Sequence, residues 1–331
     1  MYTLPKWLGR LGTTLLCATF TLTAAPAAAV SYPDKPIRIV VQFAPGGSTD
    51  TMARVLGKEL DKRLGQSVLV ENRVGGGAII GTNHVAKSRP DGYTLLLTIP
   101  GAIYNNLVLY QNLPYDPKTE LRMVSDIATP RVLMLTHPSV PAKTFPELVE
   151  LIKQHPGEYI MGSWGIGVQA HQVQTYMDQT LGTKTETASY KGEGPMLVDL
   201  ASGVLPMGMS SVTGARSYLE SGKLTPLAIA GDKRSEFAPE VPTFAEQGFK
   251  DPVYTITAPI SLMAPAKTPD DIIELLSQAV AAIVAEPSFQ KQLTTLGLEP
   301  IGNTAAEADA NYEKNFPILT ELTRSTGVSI D

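Results

Sequence analysis

The chain has 331 residues, 27 basic against 32 acidic, a net charge of −5 and a single cysteine. No basic run interrupts this mild acidity, which makes nucleic acid and anionic membrane surfaces poor candidates as partners. One cysteine supports no disulfide framework, so a chain of this length must rely on a large core, and about 300 residues suggest two domains.

Residues 1–29 read as a secretory signal peptide. Lys6 and Arg10 form a basic start, residues 11–23 an apolar stretch too short to span a bilayer comfortably, and Ala27-Ala28-Ala29 a small-residue cleavage site, with cleavage after about Ala29. Cys17 lies in the apolar stretch, but Leu16 precedes it where a lipid-anchored leader needs a small residue. Export to the bacterial periplasm as a soluble chain without thiols is therefore expected.

The apolar run 37–41 reads as a buried strand, and Met52, Val55, Leu56, Leu60 and Leu64 recur at helical spacing over 51–64. Between them lies Phe43-Ala44-Pro45-Gly46-Gly47-Ser48-Thr49-Asp50. Two glycines let backbone pass close to a ligand, and a helix start favours an anion. Ser48 suits an N-cap, and Asp50 suits the first turn of a helix dipole. An ordinary strand-to-helix turn would read the same way.

A second glycine cluster, Gly75-Gly76-Gly77-Ala78-Ile79-Ile80-Gly81, follows the strand 68–70 and leads into a helix. A parallel sheet would align the two turns along one edge, where open α/β sheets bind ligands. Pro90-Asp91-Gly92-Tyr93 reads as a turn before the strand 94–98, whose last residue, Thr98, could face the crevice. Strands are expected at 132–135, 159–161 and 227–230, and helices at 145–154, 170–180, 270–285 and 304–324. This alternation implies α/β layers with mostly parallel sheets.

The third cluster, 162–171, offers the Ser163 hydroxyl, the Trp164 ring, amides near Gly167 and Val168, and His171 in the first helical turn. Trp164 could stack on a ring or cap the core, and His171 suits structural support more than ligand contact. The fourth, Tyr190-Lys191-Gly192-Glu193-Gly194-Pro195, offers Tyr190 and the Gly192 amide, with Lys191 a solvated charge and Pro195 a helix start.

Catalytic signatures are absent. There is no Gly-x-Ser-x-Gly elbow, no nucleotide-binding glycine motif, and none of His84, His137, His155 and His171 has a second His or Cys at metal-ligand spacing. Binding without chemistry, cofactor or metal is the reading that remains.

Several motifs, in order, resemble one family: Tyr32-Pro33-Asp34-Lys35-Pro36-Ile37, Pro45 to Asp50, Val70-Glu71-Asn72-Arg73, Pro90 to Leu95 and Val241-Pro242-Thr243-Phe244-Ala245-Glu246-Gln247-Gly248. These look like the Bug family, the extracytoplasmic solute receptors of tripartite tricarboxylate transporters. The resemblance implies an α/β periplasmic binding protein fold, two α/β lobes around a ligand cleft with two interdomain crossings near 126–132 and 254–260. Lobe 1 would comprise 30–128 plus 257–331 and lobe 2 residues 129–256. It also implies that the first two turns (Phe43, Pro45, Gly46, Gly47, Ser48, Asp50; Ala78, Ile79, Gly81) hold a carboxylate through amides and waters. Lobe 2 would close with Ser163 to Val168 and Tyr190 to Gly192. The chain departs from the family at Val168, Pro206 and Ser210, where hydroxyl or acidic residues are common. With Met207 and Met209, these departures suggest a less polar distal pocket and a carboxylate without an ammonium group, for example an aromatic one. Partners implied are the transporter's membrane subunits or, alternatively, a sensor kinase, and a monomer suffices to form the cleft.

Overall fold

The computed structural model describes residues 32–330, together with Tyr2. The leader reading, with Lys6, Arg10 and Cys17, lies outside the described residues. The chain begins with β1 (Ile37–Val41), α1 (Ser48–Leu64), β2 (Val68–Asn72), α2 (Ile79–Ala86), β3 (Thr94–Thr98), α3 (Pro100–Leu109), α4 (Pro117–Glu120) and the long β4 (Leu121–Pro130). It continues through β5 (Val132–Thr136), α5 (Phe145–Gln154), β6 (Ile160–Ser163), α6 (Gln169–Thr180), β7 (Glu186–Ser189), α7 (Glu193–Ala201), β8 (Met207–Ser211), α8 (Val212–Glu220), β9 (Thr225–Ile229) and α9 (Pro252–Thr255). It ends with β10 (Ile260–Pro265), α10 (Asp270–Val284), α11 (Pro287–Thr295), β11 (Leu298–Pro300) and α12 (Ala305–Ser325).

The strands form a six-stranded sheet, ordered β11-β4-β10-β3-β1-β2, and a five-stranded sheet, ordered β7-β6-β8-β5-β9. Each is mixed, which corrects the expectation of mostly parallel sheets. β1 pairs in parallel with β2 and β3, and β6 with β7 and β8, whereas β10 is antiparallel to β3 and β4, and β5 to β8 and β9. The cause is connectivity. β5 and β10, the first strands after each crossing between the lobes, run opposite to their neighbours, and the short β11 is likewise antiparallel to β4. The chain leaves the first sheet at Pro130 and enters the second at Val132, with Arg131 alone between, and returns through residues 256–259.

Both sheets are covered on two faces, so their central strands β1, β3, β5 and β10 are almost wholly buried and mainly apolar. Ile37, Ile39 and Val41 pack with Met52, Leu56 and Leu60 of α1 and Ile273, Leu276 and Val280 of α10. The intervening Val40 joins Leu96, Ile103, Tyr104 and Met123 on the other face, as the two-residue period of a strand dictates. In the second sheet Met134 meets Phe145 and Val173 on one face, while Leu133 and Leu135 meet Leu197 and Ala215 on the other. Each fully buried aliphatic side chain contributes roughly 1.5–3 kcal/mol. Met207 and Met209 are fully buried in this core beside Met161 and Met177. They are packing residues, which corrects their expected place along the cleft.

The outgoing and returning strands are tied at one buried carboxylate. Asp126 on β4 accepts from Ser261 Oγ of β10 at 2.5 Å and from the Nδ2 atoms of Asn303 and Asn311 at 3.1 Å each, and its own amide donates to Asn303 Oδ1. Both Asp126 oxygens face donors, so an amide there can turn its N–H only to Ser261 Oγ, which must then accept, and the bonds from Asn303 and Asn311 lose their charged acceptor. Asp126→Asn is expected to lower stability by about 2 kcal/mol. Urea unfolding followed by circular dichroism measures this, and an unchanged midpoint would exclude the carboxylate as the strand tie.

Candidate functional site

The first glycine-rich turn is held by its own side chains. Asp50 Oδ2 accepts from the Gly46 amide at 3.2 Å and from Arg54 Nε at 3.1 Å, while Oδ1 accepts from Arg54 Nη2 and Asn72 Nδ2 at 2.9 Å each. Asn72, at the end of β2, also donates to the Phe43 carbonyl at 3.0 Å. Burial works against a charged Asp50, but the bonds from Arg54, Asn72 and Gly46 outweigh it and hold the carboxyl below its ordinary value. Asp50 is thus committed to shaping the turn.

The second turn has a run of four positive φ angles: Gly75 at 128°, Gly76 at 56°, Gly77 at 57° and Ala78 at 76°. Ala78 is the one non-glycine residue with positive φ among those described, a strained conformation of the kind that clusters at binding sites. Asn106 Nδ2 fixes the turn by donating to the Gly77 carbonyl at 2.8 Å, and Thr82 Oγ1 donates to the Ala78 carbonyl at 2.8 Å. Among the described residues, none accepts a hydrogen bond from the amides of Gly76, Gly77 or Ala78. Successive free amides of this kind favour an anion. Gly81 serves packing, since a Cβ there would lie 2.7 Å from the Arg73 carbonyl oxygen, and Ile79 packs against the core beneath.

In lobe 2 the polar side chains also turn inward. Ser163 Oγ donates to the Gly165 carbonyl at 2.5 Å. His171 Nδ1 accepts from the Gly167 amide at 3.1 Å, and burial lowers its pKa, keeping the ring neutral as that acceptor role requires. The Gly167 carbonyl accepts from Asn105 Nδ2 of α3 at 2.5 Å, a contact between lobes. Tyr190 donates its hydroxyl to Asp199 at 2.6 Å, and burial together with that carboxylate pushes the phenol up to about 12. Thr98 is buried at the end of β3, where its hydroxyl accepts from Gln42 Nε2.

Among the predicted residues, Phe43, Ala78, Trp164, Val168 and Tyr190 line a central cavity of about 220 Å³ between the lobes. Lys191 lines its rim, and no Asp or Glu is among its lining residues. Phe43, Trp164 and Val168 continue into an apolar extension that also meets Ile99, Val253, Ile256 and Leu322. Gly47, Ser48 and Asp50 sit apart, against Glu193, and Pro45 and Gly46 press on Gly194. At Gly192 backbone meets backbone: its φ is 143°, and a Cβ would lie 2.9 Å from the Ala44 amide nitrogen. Sequence reading missed Gln42, whose Oε1 is buried beside the cavity without a partner among the described residues. It also missed the part of Glu193 as a carboxylate facing the first turn. The adjacency of Gln42 to the first turn was the available signal for the former.

Residues 52–314 match the family described as the tripartite tricarboxylate transporter family receptor. BugT of Bordetella pertussis (strain Tohama I) is 34% identical over 308 residues, covering 93% of this chain and 94% of that protein. Among solved structures, the periplasmic binding protein BugD matches with a TM-score of 0.84 at 31% identity, covering 90% of this chain and 100% of that one. Rpa4515 of R. palustris, solved with adipate, matches at 0.85 and 29% identity over 90% and 100%. MatC of Rhodopseudomonas palustris, with bound malate, matches at 0.82 and 27% over 88% and 100%. The chain belongs to the tripartite tricarboxylate transporter receptor family, the Bug proteins, which are periplasmic solute-binding receptors.

Because the Asp50 pKa is lower folded than unfolded, its ionised form contributes stability that is fully present above the unfolded value near 3.8 and is lost as pH falls through the folded value. Asp50→Asn removes that term. The melting temperature of the wild type should therefore fall more steeply than that of the variant between about pH 5 and about pH 3. Parallel acid profiles would show that the carboxylate holds nothing in the folded turn.

Proposed function

We propose that this receptor captures an organic carboxylate that lacks an ammonium group and presents it to the membrane subunits of a tripartite tricarboxylate-type transporter. The observation that carries the reading is the central cavity itself. It combines the uncommitted amides of Gly76, Gly77 and Ala78 and the rim ammonium of Lys191 with no acidic lining residue. An ammonium group entering it would be desolvated without a counter-ion, which is costly.

The carboxylate sits at the second turn, and a bridging water or ligand hydroxyl satisfies Gln42 Oε1. The ligand body extends between Phe43 and Trp164 towards Ile99, Val168 and Ile256, a wall suited to an aliphatic chain or an aromatic ring. Relatives solved with adipate and with malate, both carboxylates, support this class. Capture involves no chemistry on the ligand, in keeping with a family of receptors. Capture takes place in the periplasm on this reading, which the leader-like sequence at 1–29 and the periplasmic relatives support.

Thermal unfolding of the ligand-stripped protein against a carboxylate panel tests the reading. Benzoate-type, aliphatic dicarboxylate and tricarboxylate ligands should raise the midpoint, and aspartate and glutamate should not. Tighter binding of aspartate or glutamate than of any ammonium-free acid would reject the specificity, and no response to any carboxylate would reject the class. For the ligand so found, Lys191→Ala should weaken binding several-fold, with the loss shrinking as salt rises.

A further inference from the structure

Glu193 is 8% exposed, and its carboxylate is fully engaged at the seam between the lobes. Oε2 accepts from the Ser48 amide of lobe 1 at 2.9 Å and from Ser211 Oγ at 2.7 Å, and Oε1 accepts from the Ser211 amide at 2.8 Å. Ser48 is the first residue of α1, Glu193 the first of α7, and Ser211 the N-cap of α8, where its hydroxyl also accepts from the Gly214 amide at 3.0 Å. The N-termini of α1 and α8 therefore both donate to one carboxylate, carried on the first residue of α7, and a helix N-terminus favours a negative charge. Small residues clear the way: a Cβ at Gly47 or at Gly214 would lie 2.9 Å from Oε2.

We infer that Glu193 is an intramolecular latch: lobe 2 supplies its own anion to the N-terminus of α1 and thereby closes the cleft. Opening the cleft parts Ser48 from Glu193 and leaves the carboxylate with its partners in α8 alone. The Ala44 amide, which donates to the Lys191 carbonyl at 2.9 Å, parts with it. With α1 already supplied, a ligand carboxylate is directed to the second turn, a consequence that rests on the carboxylate reading above. Closure by the latch does not rest on it.

The test needs no ligand. Residues 32–331 contain no cysteine, so cysteines introduced at the exposed Lys58 on α1 and Lys153 on α5 can carry a donor and acceptor dye in the mature protein. Single-molecule energy transfer then reads the closed fraction without ligand. In the wild type the closed, high-transfer state should be populated. Glu193→Ala should reduce it at least tenfold relative to the open state, and Glu193→Gln, isosteric but uncharged, should fall between and serves if the alanine variant does not fold. Gly47→Ala perturbs the same contact from lobe 1, and Gly47 has an ordinary φ of −91°, so its alanine carries no backbone strain. Gly47→Ala should open the wild type but add nothing in the Glu193→Ala background. Folded Glu193 variants with the closed fraction of the wild type, or additive effects of the two substitutions, would overturn the latch. Loss of carboxylate binding with the latch intact would overturn only the ligand reading.

Discussion

Two segments of main chain, residues 44–46 from one lobe and 192–194 from the other, come together backbone to backbone at Gly192 and Gly194. A Cβ at Gly194 would lie 2.2 Å from the Pro45 carbonyl oxygen, and one at Gly192 would lie 2.9 Å from the Ala44 amide nitrogen. This approach sets the spacing of the lobes. It fixes how far Trp164 stands from Phe43 and where Lys191 meets the cavity rim. Glycine is required at 192 and 194 because a Cβ at either position would overlap the main chain of Ala44 or Pro45.

Within that frame, polar side chains are spent on shape and the amides of the second turn are left uncommitted. Asp50 holds the first turn, Ser163 folds the third, His171 supports Gly167, and Tyr190 is tied to Asp199. The cavity keeps amides of a turn fixed by Asn106 and Thr82. Rigid amide dipoles need no side-chain ordering when a ligand arrives, so recognition loses little conformational entropy. In the proposed function an acidic protein takes up an anion because the attraction of fixed amides is local and owes nothing to net charge.

Some elements were legible because their apolar pattern was unbroken. β1, β3 and α5 have the bounds that the pattern implied. β4 escaped notice because Ser125 and Asp126 interrupt its apolar run, although both are buried and bonded to Asn303. α3 escaped because Pro100-Gly101 and Asn105-Asn106 read as a loop, yet those asparagines are buried, holding Gly167 and Gly77. In both cases tertiary partners overrode local propensity. Mixed sheets were hidden too, since strand direction depends on which lobe a strand enters from.

The sequence by itself determined the α/β class, the positions of the glycine-rich turns and the family, because these depend on short-range periodicity and on motifs of a few residues. Only the tertiary structure decided which turn keeps its amides free. The first turn resembles an anion seat in isolation, but the carboxylate that meets it belongs to Glu193, 145 residues further along the chain. A backbone amide donates to whatever acceptor the fold brings near, and that acceptor is set by the meeting of two lobes.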